Sequence, residues 1–134
     1  MTILWLLIAL VVVAMGYVRL APSDPVKWHV SPKVEADKDM QFGVKRLVVA
    51  GTDGLERFDG IARATPRTEV LAGSVADGMI TYVTRTKVMG FPDYTTVRQE
   101  GDTLKIFARQ RFGRSDLGVN KTRVDGWIAA FQAR

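Results

Sequence analysis

The chain has 134 residues, 47% hydrophobic and 25% charged, with a net charge of +5 at pH 7 and no cysteine. Once an apolar N-terminal run is set aside, that length holds one core of modest size, and the missing cysteines exclude disulfides, thiolate chemistry and cysteine-ligated zinc. The positive excess is C-terminal: from Lys105 onward seven Lys/Arg face only Asp116 and Asp125, and the rest of the chain balances.

Thr2 to Val18 carries no charge and has Trp5 near one end and Tyr17 near the other. A bilayer takes about 17–25 apolar residues in a helix, so residues 1–20 read as a short transmembrane anchor with Arg19 snorkelling at its end. A cleaved signal peptide is the rival, because Ala14-Met15-Gly16 has small residues at cleavage spacing. The missing basic n-region and the length of the apolar run favour retention.

Residues 21–41 read as a linker, extended and not helical, with Pro22, Pro25 and Pro32. It holds the single histidine, His29, for which no second imidazole exists to complete a metal site, so a solvated or locally hydrogen-bonded side chain is expected. Trp28 is expected to pack on the domain or to sit at the lipid surface.

Residues 42–134 read as a single α+β domain. Val44 to Ala50 has the β-branched content of a strand, and Asp53 followed by Glu56 is a capping-box arrangement ahead of the stripe Leu55, Phe58, Ile61 and Ala62. The glycines from Gly51 to Gly60 lack the lysine and the spacing of a nucleotide-binding loop. Strands follow over Glu69–Val75, Met79–Val88, Tyr94–Gln99 and Thr103–Phe112, with reversals at Ala76-Asp77-Gly78, Phe91-Pro92-Asp93 and Glu100-Gly101-Asp102. In the last strand Leu104, Ile106 and Ala108 share one face, and Lys105, Phe107, Arg109 and Arg111 share the other. Arg85 and Lys87 alternate likewise, so Arg85, Lys87, Lys105 and Arg109 are candidates for one basic face. Gly113 then allows a tight exit from the strand, and Ser115 or Asp116 can cap a helix whose stripe is Leu117, Val124, Trp127, Ile128 and Phe131. Asn120 lies on that apolar stripe and needs partners, which suggests a polar cluster of Arg111, Ser115, Asp116, Asn120 and Arg123. The expected fold is β-α-β-β-β-β-α, an antiparallel sheet with two helices on one face, leaving the other face for any ligand.

Three pieces carry a family resemblance. Arg111-Phe112-Gly113-Arg114-Ser115-Asp116-Leu117-Gly118-Val119-Asn120, closed by Arg123-Val124, resembles the C-terminal signature of the bacterial and plastid family known as domain of unknown function 1499. Met89-Gly90-Phe91-Pro92-Asp93-Tyr94 resembles its aromatic-glycine-aromatic turn, and Tyr17 to His29 resembles the juxtamembrane stretch of its membrane-anchored members. Many relatives carry a cysteine-containing segment ahead of the folded domain, which this chain lacks. The resemblance implies a bacterial inner-membrane protein with its domain on the periplasmic side. The flanking charges Arg19, Lys27 and Lys33 favour the cytoplasmic side instead.

Known chemistries find little support. The serines lie at positions 23, 31, 74 and 115 with no histidine in the domain to activate them, and most acidic residues occupy turns and helix starts. Phe107 alone is too little aromatic surface for nucleic-acid binding, and no cofactor or metal is expected. Asp116, with Arg111, Arg114 and Arg123 near it in sequence, suits a structural or anion-orienting role. The reading is a membrane-anchored, non-catalytic module that binds an anionic ligand, a lipid headgroup or a membrane protein partner. The alternative is an enzyme of unrecognised type built around Asp116, Arg111 and Asn120.

Overall fold

A computed structural model describes residues 1–133. Its helices are α1 (Thr2–Leu20), α2 (Pro25–Trp28), α3 (Gly54–Arg63) and α4 (Val119–Gln132), and its strands are β1 (Lys38–Met40), β2 (Gly43–Val49), β3 (Thr68–Ser74), β4 (Met79–Arg85), β5 (Pro92–Glu100) and β6 (Thr103–Gln110). The strands form one antiparallel sheet in the order β1-β2-β6-β5-β4-β3. After β2, α3 carries the chain across one face to the far edge, and β3 to β6 return as a meander that ends against β2. The α+β fold is therefore the expected one, with β1 and α2 added.

Period-two alternation decides what each face buries. Val44, Val48, Ile80, Tyr82, Val97, Leu104, Ile106 and Ala108 point to the helix face and meet Leu55, Phe58, Ile61 and Ala62 of α3 and Val124, Trp127 and Phe131 of α4. Trp127 is the hinge pin of this core: its ring stands edge-on to Phe58 at 5.9 Å and to Tyr82 at 6.1 Å. Its indole N–H donates to Thr65 Oγ1 at 2.8 Å, so the one polar atom of the ring is satisfied. Arg46, at the rim of the same face, ties β2 to α4 through Asp125 (2.9 Å) and to β1 through Asp39 (2.7 Å).

Two local expectations change. Asp53 makes no capping hydrogen bond at α3. Gly54 packs so close to Ala50 that the first turn lies against the sheet, and the Leu55 N–H is taken by Gln99 Oε1 of β5 at 2.9 Å. The C-terminal helix starts at Val119, not Leu117, because Leu117 and Gly118 both have left-handed backbone; Leu117 is 90% exposed.

The larger change concerns residues 21–41. Asp24 accepts a hydrogen bond from the Val26 N–H at 3.0 Å and Pro25 occupies the first helical position, so the segment begins with one helical turn. It then lies across the second face of the sheet. Trp28 stacks on Tyr94 at 4.0 Å, Ser23 Oγ meets the Tyr94 hydroxyl at 2.7 Å, and His29 Nδ1 meets Thr81 Oγ1 at 2.8 Å. Gly73 accommodates this path: a Cβ there would sit 2.7 Å from His29 Cε1. The face expected to be open for a ligand is roofed by the chain's own N-terminal segment.

Candidate functional site

At the start of β5, alternation puts Asp93 on the helix face, directly opposite Gln110 of β6. The loop from Arg111 to Gly118 folds over this end of the sheet, and its Asp116 N–H donates to Gln41 O at 3.1 Å. Asp116 Oδ1 accepts from the Gly118 N–H (2.9 Å), and Oδ2 accepts from the Asn120 N–H (3.2 Å) and from Asn120 Nδ2 (3.0 Å). Asn120 is fully buried, and its Oδ1 accepts from Arg123 Nη1 at 3.0 Å. Arg123 reaches on to Asp93 Oδ2 at 3.4 Å. The result is a chain of contacts, Asp116–Asn120–Arg123–Asp93, that fastens α4 to β5. Ser115 contributes a short turn, with its Oγ accepting from the Leu117 N–H at 3.2 Å.

Burial raises the Asp93 carboxyl to about 6; Arg123 opposes the shift and the nearby Asp116 charge adds to it. Asp93 is the member of this cluster that sequence reading misses, since Phe91-Pro92-Asp93 looks like a turn. Its signal is the register of β5, where Asp93, Thr95 and Val97 alternate with Tyr94 and Thr96. Arg111 does not join the cluster. It lies on the opposite face, where its Nη1 donates to Pro22 O at 2.8 Å and to the Tyr94 hydroxyl at 3.2 Å.

A cavity of about 290 Å³ adjoins the chain of contacts, walled by Phe91, Phe112, Leu117 and Val119 and floored by Asp93, Gln110 and Asp116. Phe112 meets Phe91 at 6.4 Å and, on its other side, Tyr17 of α1 at 6.2 Å.

The four residues expected to form a basic face are dispersed. Arg109 is only 6% exposed, lying beneath Trp28, whose carbonyl it bonds, and 4.9 Å from the centre of the Phe107 ring; burial pulls its guanidinium down to about 10. Lys105 is paired with Glu100 at 2.8 Å. Arg85 is separated from both by β5, its guanidinium donating to Gly90 O at 2.9 Å and Val18 O at 3.4 Å. Lys87 is exposed in the loop after β4. Two of them, Arg85 and Lys87, join a different basic site. The last turn of α1 seats on the β4–β5 loop, where Arg19 bonds Val88 O, and a cavity of about 370 Å³ opens there among Arg19, Arg67, Arg85, Lys87 and Glu69. Among the described residues none of its four cations is in an ion pair. Arg19 and Arg67 lie far from Arg85 in sequence, and nothing in their local patterns announces the meeting.

The model of the family described as Protein of unknown function (DUF1499) matches residues 20–131. The chain belongs to this family. The match begins at the last residue of α1 and takes in the roofing segment, the whole sheet and nearly all of α4, so it covers the lining of the 290 Å³ cavity and that of the 370 Å³ cavity except Arg19. Comparison with curated proteins and with solved structures finds no match.

Proposed function

We propose that this DUF1499 protein is a membrane-anchored, non-catalytic module of the bacterial inner membrane that binds an anionic lipid headgroup at the foot of its N-terminal helix. The observation that carries this reading is the 370 Å³ cavity in which Arg19, from the last turn of a helix apolar enough to cross a bilayer, converges with Arg67, Arg85 and Lys87. Three guanidiniums and an ammonium against one carboxylate, Glu69, suit a phosphate with its two or three acceptor oxygens. Backbone carbonyls orient the set: Arg67 donates to Arg85 O at 3.1 Å and Arg85 to Gly90 O, which leaves further N–H donors for a ligand. The catalytic alternative loses support because Arg111 lies across the sheet from Asp116, and Asp116 and Asn120 satisfy one another. The family resemblance favours a periplasmic domain.

Native mass spectrometry of the full chain, released from membranes of equal phosphatidylglycerol and phosphatidylcholine content, tests this. The expected result is preferential retention of phosphatidylglycerol, cut about fivefold or more by Lys87→Glu, an exposed substitution. Equal retention of the two lipids would overturn the reading.

A further inference from the structure

The two ends of the sheet expose different chemistry. At one end β2, β3 and β5 begin and β4 and β6 run out, so the turn at residues 41–42 and the loops at 86–91 and 111–118 lie together. These segments and the start of α4 hold large apolar side chains out to solvent: Leu117 is 90% exposed and Val88 71%, with Phe42, Met89 and Val119 exposed as well. Leu117 does so from left-handed backbone, where local preference selects Gly or Asn. An apolar surface of this kind, rimmed by charge, marks a contact site. The rim is basic, with Arg67, Lys87 and Arg114 all exposed in the loops of this end. The other end, roughly 25 Å away along the strands, carries Asp53, Asp77 and Asp102 in its turns.

The foot of α1 is seated on this same end. Tyr17 lies against Phe112, Arg19 bonds Val88 O, and Arg85 bonds Val18 O. The helix is apolar as far as Val18 and its single charge is Arg19, so when it crosses a bilayer its last turn lies at the boundary between hydrocarbon and headgroups. Loops that touch that turn are held near the same depth. From this geometry we infer that this end of the domain docks on the bilayer, with Leu117, Val88 and Phe42 entering the acyl-chain boundary. The inference rests on the proposed anchoring by α1. Arg114 and the headgroup cavity then lie at phosphate level, and the acidic end faces away from the membrane. A second copy meeting this patch face to face would set Lys87 and Arg114 against like charges, whereas a lipid surface supplies the opposite charge.

The test uses the full chain, with its Leu and Val methyls labelled for NMR, in nanodiscs of phosphatidylcholine alone, so that it is independent of phosphatidylglycerol retention. One sample contains phosphatidylcholine with a nitroxide near the carboxyl end of an acyl chain, and another a gadolinium chelate in the water. The methyls of Leu117, Val88 and Val119 are expected to be broadened by the nitroxide about fivefold or more over those of Val49 and Val75, which lie at the far end of the strands, and to be shielded from the chelate. Leu117→Asn, which suits the left-handed backbone and removes the apolar side chain, is expected to fold normally and to cut the nitroxide effect at Val119 about twofold or more. An unchanged effect there would mean that α1 alone sets the depth of this end, and would overturn the docking. Chelate access at Leu117 equal to that at Val49, or shielding without nitroxide broadening, as a protein cover would give, would overturn it too. Val11, in the middle of α1, keeps the two readings apart: Val11 shielded from the chelate with Leu117 open refutes the docking and leaves the anchor standing.

Discussion

Asp93 is ionised only against resistance, because its side chain is only 6% exposed and its cation, Arg123, stands at 3.4 Å and is shared with Asn120. Its carboxyl sits near 6 in the fold and near 3.8 when free. The proton is thus held more tightly by the folded state, and the sign follows: the associated stability is fully present below pH 4 and is lost as pH rises through about 6. The expected outcome is that thermal stability falls between pH 4.5 and 7 by an amount on the order of 2–3 kcal/mol beyond that of Asp93→Asn. Parallel melting curves for the two proteins across that window would refute it. Asn120 is the complementary case. Its amide satisfies Asp116 on one side and Arg123 on the other, so Asn120→Leu strands both and is expected to cost on the order of 1–3 kcal/mol in urea denaturation. Asn120 was legible in the sequence because an amide on an apolar helical stripe must be satisfied. Asp93 was not, because Phe-Pro-Asp is also the composition of a turn, and only the pairing of β5 with β6 shows that the residue already belongs to a strand.

Among the elements, the segment between α1 and β1 departs furthest from expectation. Its prolines suggest an extended, non-helical linker. Proline does exclude regular hydrogen bonding, but it does not exclude burial, and a polar sheet face bearing Tyr94, Thr81, Thr96 and Arg109 offers the segment the partners it lacks internally. That complementarity joins residues more than fifty positions apart, so no window of sequence displays it. The alternation of β6, by contrast, was readable: Leu104, Ile106 and Ala108 are fully buried on the helix face as expected. What the pattern did not reveal was the cover over Arg109. Trp28→Ala is expected to strip that cover and to destabilise by about 3 kcal/mol, with faster proteolysis between residues 22 and 36. Unchanged proteolysis would mean that the stack on Tyr94 is incidental. Arg109→Met, which keeps the length and removes a buried cation, is expected to be tolerated better than Arg109→Ala in the same denaturation assay.

For the whole molecule, α1 stands apart from the core: none of its residues is buried by the rest of the chain, and its 19 residues carry one charge, Arg19, at the end that meets the sheet. Val11→Arg in its middle adds about 2.5–3.5 kcal/mol to the cost of crossing a bilayer, so the variant is expected to appear in the carbonate-soluble fraction with an unchanged domain melting temperature. Full retention in the membrane pellet would contradict the anchoring role. The helix was plain in the sequence because apolar length is a local property; the seating of its last turn was not, since that depends on Arg19 reaching Val88 and Arg85 reaching Val18. The roof over the sheet also sets a geometric limit. Seventeen residues of free chain would act as a leash with a reach of about 20–25 Å, letting the domain sweep a wide volume. Pinned instead by Tyr94, Thr81 and Arg111 from its first residues, the same segment gives no slack. The domain turns only as α1 turns, like a bracket fixed to its post, and whatever it meets must come within one domain's height of the helix end.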